Sequence, residues 1–241
     1  MWRFFPILST GFVCVIPKAI RMWIVGLTGA IGSGKSTLSE HFISLGIPVY
    51  CADHEVHILL ERDQEIQEKI KNLWPDVVRE GKVDRLLLGH HVLGSTEQLS
   101  VLEAILYPKL AQHQKLFLNH HQKLNTPVVV FDVPLLLEVG LDRYCHRVVL
   151  AEAPYSLRKK RVLKRGGMSE TRFKQLESHQ FTDEIRRKHA DLIISTGRSQ
   201  KSSLQKIKDF LLHLSKETPP SWMGQWPTTF KKNPYDQRNC P

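Results

Sequence analysis

Short apolar runs alternate along this chain with longer stretches of helical spacing. Residues 24–28 form an apolar run that ends in glycines, and residues 36–45 have an amphipathic helical pattern stopped by Gly46. Pro48 leads a second short strand ending at Tyr50. Helical spacing then holds from about residue 54 to Leu73 and breaks at a Pro75-Asp76 turn. Asp84 has the placement of an N-cap for a helix through Leu93, and Ser95 with Gln98 forms a capping box for the next. Residues 128–131 are an apolar run too short for a helix and typical of a buried parallel strand, and residues 148–150 and 192–194 read the same way. Strands separated by helices predict an α/β fold with a mostly parallel sheet.

The two ends break this rhythm. Residues 1–22 carry three basic and no acidic residues, with an apolar run from Phe4 to Ile16. That run is shorter than the roughly 20 residues a membrane-spanning helix needs. Pro6 and Pro17 interrupt the region, and no small-x-small cleavage site follows. Residues 1–21 are expected to be an inert extension or a start-site artefact, with a cleaved targeting segment as the alternative, since Met22 stands directly before the first strand. Residues 218–241 hold five of the thirteen prolines together with Trp222, Trp226, Phe230 and Tyr235. Proline at that density denies a helix or central strand, and the aromatic residues predict a tail draped on the domain.

Composition narrows the class. With 241 residues, 41% apolar and 24% charged, the chain is a globular domain and not a disordered, collagenous or disulfide-scaffold protein. Cys14, Cys51, Cys145 and Cys240 lie far apart without a Cys-x-x-Cys pair, so zinc-finger and disulfide frameworks are not indicated and a reducing, cytoplasmic location is expected. His54-Glu55-Val56-His57 is one residue too short to put two imidazoles on one helical face for a metal. The net charge of +10 is concentrated: residues 158–188 hold eleven Lys/Arg against four Asp/Glu. A general nucleic-acid binder spreads its basic residues over a face, so the segment points to a local anion partner or to a solvated helical face. Neither a nucleic-acid nor a membrane partner is expected.

Gly29-Ala30-Ile31-Gly32-Ser33-Gly34-Lys35-Ser36 matches the G-x-x-x-x-G-K-[ST] phosphate-binding pattern in full, between an apolar strand and an amphipathic helix. Glycine lets the backbone turn successive N–H groups inward, and the helix N-terminus adds unpaired donors and partial positive charge. Lys35 can reach the β- and γ-phosphates, and the Ser36 hydroxyl is placed for Mg²⁺. The chain is therefore expected to bind a nucleoside triphosphate. It lacks the Asn-Lys-x-Asp of guanine readers and the Leu-Ser-Gly-Gly-Gln of transporter-type ATPases. Asp132 either assists Mg²⁺ at the end of a Walker-B-like strand or caps the turn before Pro134.

A small-molecule kinase needs three further parts. Asp53, just after the second strand, fits a general base for an acceptor hydroxyl and equally an N-cap for a helix beginning at His54. Arg161 and Arg165 share a helical face before Gly166-Gly167, as a basic lid on a hinge would. The helical stretch over about 54–125 is long enough to form an acceptor site.

At these residues the chain resembles the dephospho-coenzyme A kinase family from Met22 to about Leu214. The opening into Gly32-Ser33-Gly34-Lys35-Ser36-Thr37 is similar to that family's phosphate loop. Ala52-Asp53 is similar to its Asp-Ala-Asp element, with Cys51 in place of the first Asp. Gly81-Lys82-Val83-Asp84-Arg85 and residues 102–108 resemble its inserted substrate domain, where the family usually has His at the position of Tyr107. Residues 132–138, from Asp132 through Leu135 to Glu138, resemble its most distinctive block. Arg161, Arg165, Gln180 and Lys188 through Ile194 follow in the family's order, and its usual Asn-x-Gly is Ser195-Thr196-Gly197 here.

The resemblance implies a P-loop kinase fold: a parallel five-stranded sheet flanked by helices, with a helical substrate-binding insertion (about 54–125) and a lid (about 156–180) in a domain of 22–215, before a tail of 216–241. It implies ATP-dependent phosphorylation of the ribose 3′-hydroxyl of dephospho-coenzyme A, the last step of coenzyme A synthesis. No obligate protein partner is expected. Motif and resemblance together assign catalysis to Asp53, Lys35 and Arg161. ATP falls to Gly32, Ser33, Gly34, Lys35, Ser36, Thr37, Arg161, Arg165 and Gly197. The acceptor falls to Asp53, Arg85, Tyr107, Leu135 and Glu138, and Mg²⁺ to Ser36. The rivals are a kinase of another small alcohol and a nucleotide-binding regulator, the second disfavoured by Asp53 and the lid arginines.

Overall fold

The first strand, β1 (Trp23–Thr28), is buried along its whole length, as an apolar run without polar alternation requires when a sheet is covered on both faces. In this computed structural model, which describes residues 21–230 except Glu80, Leu93 and Met223, β1 lies at the centre of the sheet. The expected N-terminal extension, apart from Arg21, falls outside the described residues. β1 pairs in parallel with β5 (Val128–Asp132) on one side and β6 (Arg147–Glu152) on the other. β2 (Val49–Cys51) adds outside β5, and β7 (Leu192–Ser195) adds outside β6. The order is β2-β5-β1-β6-β7. The chain leaves β1 toward one edge and later returns past it toward the other. The crevice at the carboxyl end of β1 is thus the topological switch point where such sheets bind ligands.

Strand residues alternate between two cores. Trp23, Val25, Leu27, Val128 and Val130 pack with Leu38 and Phe42 of α1 (Lys35–Ser44) and with Ile207 and Phe210 of α9 (Gln200–Lys216). Ile24, Val129 and Phe131 face the other way, toward Leu118 of α5 (Thr96–Lys123) and toward Trp222 and Trp226 of the tail. The tail is pinned at its start by an antiparallel bridge between Arg21 and Ser221. Trp226 stacks on Phe131 with ring centroids 4.8 Å apart, and its Nε1–H donates to Gln114 Oε1 at 2.9 Å.

The insertion departs from the sequence reading in three places. The single helix expected over 54–73 is two, α2 (Ala52–Arg62) and α3 (Gln64–Leu73). Asp63 adopts an extended conformation between them and accepts the Ile66 N–H at 3.0 Å, ending one helix and capping the next. A two-stranded hairpin, β3 (Val78–Arg79) with β4 (Lys82–Val83), was not expected. It precedes α4 (Arg85–Val92), whose first N–H groups are capped by Asp84 as predicted. Ser95 caps α5 through the Gln98 N–H, but the Gln98 side chain does not return to Ser95. It accepts from Trp74 Nε1 at 3.0 Å instead, because a buried indole needs a partner. Half of the capping box is therefore diverted to the insertion's own core, where Ile66, Ile70 and Trp74 meet Leu102, Leu106 and Leu110 of α5.

After β6 come α6 (Tyr155–Leu163), α7 (Glu170–Ser178) and α8 (Asp183–Lys188), with Gly167 at φ 74° in the turn between the first two. No helix among the described residues is long and apolar enough to cross a membrane.

Replacing Trp226 by Ala removes a buried ring and strands the buried Gln114 amide. The expected loss is about 3–4 kcal/mol, a fall of about 10 °C in Tm for a chain this size. An unshifted thermal melt would show that the tail is not part of the core.

Candidate active site

Between β1 and α1 the chain makes a loop whose conformation depends on Gly32 and Gly34, at φ 77° and 85°. A Cβ on Gly32 would meet the Arg158 carbonyl at 2.7 Å, and one on Gly34 would meet Thr196 Oγ1 at 2.7 Å, so these positions have neither the backbone freedom nor the space for a side chain. The N–H groups of Gly32, Gly34, Lys35 and Ser36 make no hydrogen bond with any described residue. They stand at the start of α1, where unpaired donors and the helix dipole favour an anion. The Ser36 side chain is exposed there, and Thr37 is half-buried with its N–H on the Gly34 carbonyl.

The rest of the loop is tied down. Ser33 N–H bonds to the Ala30 carbonyl, and Ile31 N–H donates to Gln180 Oε1 at 2.8 Å. Thr196 Oγ1 donates to the Ser33 carbonyl. Arg161 Nη1 donates to the Gly32 carbonyl at 3.2 Å and to Thr196 Oγ1 at 3.0 Å, while Nη2 donates to the Thr196 carbonyl at 2.8 Å. Arg161 was expected to face a transferring phosphoryl group; in this arrangement its fork is already bonded to the loop and to the residue after β7. Arg165, one turn on, is exposed. Gly197 sits against Leu157 and Pro154 at the start of α6.

The basic segment resolves into two populations. Arg158, 4% exposed, pairs with Glu177 at 2.8 Å and Asp183 at 3.5 Å. Lys159 pairs with Glu170, Arg186 with Asp183, Arg187 with Glu152 and Lys188 with Glu184. Lys160, Arg161, Lys164 and Arg165 have no acidic partner among the described residues. Lys160 and Arg161 lie in the last turn of α6, and Lys164 and Arg165 follow directly after it, so the helical face expected to carry Arg161 with Arg165 ends before Arg165. The segment is neither a plain solvated face nor wholly a ligand site: Arg158 and Lys159 tie α6 to α7 and α8, and of the five cations without an acidic partner among the described residues four lie at the end of α6 while the fifth, Arg172, is on α7.

Lys35 is held by Asp132 at the end of β5, with the two side chains 13% and 4% exposed. Asp132 was open between a metal-assisting strand end and a turn cap; here it belongs to the strand and its partner is the loop lysine. Leu27 and Cys51 are both in register with Asp132, so the ends of β1, β5 and β2 are level. Asp53 follows two residues after Cys51. The expectation that Asp53 caps a helix starting at His54 fails, because α2 begins at Ala52 and Asp53 lies inside its first turn. There its exposed carboxylate is favoured by the helix dipole and accepts no hydrogen bond from a described residue.

Of the residues expected on the acceptor side, only Tyr107 and Glu138 are close enough to influence each other electrostatically. Arg85 Nη1 lies 3.3 Å from Nδ1 of His57, which is one turn from Asp53 on α2, so Arg85 is drawn to the Asp53 face. Burial and the neighbouring Arg85 hold the His57 imidazole below its ordinary pKa. Tyr107 on α5 is half-buried, and burial together with the carboxylates of Glu103, with which its hydroxyl hydrogen-bonds, and Glu138 pushes its pKa upward. Glu138 Oε1 accepts the Phe181 N–H at 2.7 Å, bracing the exit of the lid, and burial raises its pKa. Leu135 is half-buried and its carbonyl accepts the Val139 N–H. Sequence reasoning missed Arg158 and the bracing role of Thr196; a cation aligned with two acids on later helices has no local signature.

Comparison with known proteins agrees with this geometry. A family model described as dephospho-CoA kinase matches residues 23–201. The dephospho-CoA kinase of Bartonella quintana is 34% identical over 195 residues, 81% of this chain and 100% of the relative, and that of Zymomonas mobilis is 38% identical over 74% and 89%. Among solved structures, TT1252 from Thermus thermophilus superposes with a TM-score of 0.69 at 30% identity, over 80% of this chain and 97% of that one. A dephospho-CoA kinase from Campylobacter jejuni gives 0.53 at 25% identity over 80% and 98%. A shikimate kinase from Acinetobacter baumannii, 16% identical over 81% and 96% with a TM-score of 0.51, shares the fold. With its central sheet and loop matched from end to end in this way, the chain belongs to the dephospho-CoA kinase family.

Proposed function

We propose that this protein transfers the γ-phosphoryl group of ATP to the ribose 3′-hydroxyl of dephospho-CoA, giving CoA and ADP. The observation that carries the reading is the level register of β1, β5 and β2, with Leu27 and Cys51 both opposite Asp132. Strands lie about 4.8 Å apart, so the loop after β1 and the Asp53 turn after β2 face each other across about 10 Å. That gap suits one phosphoryl group with an attacking hydroxyl. A cytoplasmic location goes with this reading.

The free N–H groups of the loop and Lys35 take the ATP phosphates, Lys35 exchanging its Asp132 partner for phosphate oxygens. Asp53 accepts the proton of the acceptor hydroxyl as the new P–O bond forms. Arg161 steadies the loop through Gly32 and Thr196, and Lys160, Lys164 and Arg165 add positive charge where negative charge spreads during transfer. Arg85, Tyr107, Leu135 and Glu138 shape the acceptor side. The Ser36 hydroxyl and the Asp132 carboxylate are hard oxygen donors and few, which fits a Mg²⁺ ion that draws most of its ligands from phosphates and water. When bound, that ion neutralises charge on the phosphates.

Assays with dephospho-CoA against a panel of nucleosides and sugar acids test the reaction itself; turnover confined to another alcohol would overturn the acceptor assignment. Lys35→Ala should abolish turnover and also lower the thermal melt, because it leaves the buried Asp132 carboxylate without its partner. Asp53→Asn should keep ATP binding by calorimetry while kcat falls on the order of 10²–10⁴-fold; lost binding with normal transfer would make Asp53 structural. Arg161→Lys keeps the charge but cannot serve Gly32 and both Thr196 oxygens at once, so kcat/KM for ATP should drop about tenfold or more. Lys159→Ala, at a surface pair with Glu170, is the near-neutral control. Equal small effects at Lys159 and Arg161 would reduce α6 to a charged surface.

A further inference from the structure

The tail beyond α9 lies outside the residues that the family model matches, which end at residue 201. It nevertheless enters two cores at once. Trp222 and Trp226 are buried against the sheet, at 6% and 5% exposed. Trp226 is fixed there by its stack on Phe131 and its bond to Gln114. Four residues later Phe230 packs against both the sheet core and the separate core of the insertion. Its ring meets Tyr107 edge-on, with centroids 5.1 Å apart at 68°.

Tyr107 needs such a neighbour. It sits on α5 directly before Pro108, whose missing N–H leaves that turn of the helix one hydrogen bond short. A phenol that presents its hydroxyl to a substrate must have its ring fixed by packing, since aim is lost with rotation about χ1 and χ2. An edge-to-face aromatic contact supplies that fixation with a defined angle. The same contact ties the insertion to the sheet through Trp226, whereas along the chain the two are joined on this side only by α5.

We propose that the tail residues Trp222, Trp226 and Phe230 form a strap that completes the acceptor site, with Phe230 as a positioning residue that holds the Tyr107 ring toward dephospho-CoA. The proposal rests on the reading of Tyr107 as an acceptor-side residue, and the test separates the two. All variants are made in the full chain, and KM for dephospho-CoA, KM for ATP and kcat are measured with thermal melts.

Phe230→Ala should raise KM for dephospho-CoA about fivefold, the size of an aromatic-pair contact. KM for ATP and kcat should stay within about twofold, since the phosphate loop is untouched. Phe230→Leu, which keeps apolar bulk and the fold but loses the ring edge, should shift KM in the same direction, and Phe230→Tyr should restore it. Tyr107→Ala should raise the same KM, and adding Phe230→Ala to it should cost nothing more, because the two act as one unit. Additive effects, or an unchanged KM in both Phe230→Ala and Phe230→Leu beside a raised one in Tyr107→Ala, would overturn the strap. An unchanged KM in Tyr107→Ala would overturn the acceptor-side reading of Tyr107 and the strap with it.

Discussion

A loop that keeps its peptide N–H groups turned toward a ligand cannot satisfy them internally, and something else must hold it open. Here the bracing comes from far along the chain. Gln180 takes the Ile31 N–H, Arg161 bonds to the Gly32 carbonyl, and Thr196 bonds to the Ser33 carbonyl. Each of these side chains neutralises a group that points away from the ligand, which leaves the inward donors as the ones without partners. Arg161 adds a charge-assisted bond, stronger than a neutral one. The helices after β6 and the residue after the last strand therefore set the shape of the loop. The dense charge pairing of the lid around Arg158 follows from the same need, because a brace must itself be rigid.

The sheet sets the other half of the site. Parallel strands in register bring the turn after β1 and the turn after β2 to one height, with the Asp132 carboxylate between them. Lys35 rests on that carboxylate, so neither buried charge is left alone.

Much of this was legible in the sequence because the relevant signals are local. The phosphate loop is one continuous pattern framed by a strand and a helix. Four strands of the main sheet were visible as apolar runs, most clearly β1 and β5, which are buried along their whole length and have no polar positions to disguise them, and β2 was marked by Pro48 at its start. The failures share a cause. Helical spacing continued across Asp63, and only its extended backbone and side-chain cap show that two helices meet there. Gln98 had a local partner available in Ser95 and was taken by Trp74, 24 residues away. Asp53 was displaced from the cap position because the helix begins two residues earlier than expected, at Ala52. The tail's aromatic residues predicted draping but not a destination, because the stack on Phe131 and the edge-on contact with Tyr107 are set by tertiary packing alone.

α5 has a mechanical consequence. Its 28 residues make a rod of about 42 Å that is embedded at one end in the insertion and at the other against the sheet. A continuous rod passes any tilt of the insertion straight to the sheet, so free rocking needs a weak point. Pro108 is that point, and roughly 18 Å of helix lies before it, enough for a bend of about 10° to swing the tip about 3 Å. Phe230 bears on the residue next to it. The fold thus contains a joint in α5 and an aromatic contact from Phe230 that bears on it.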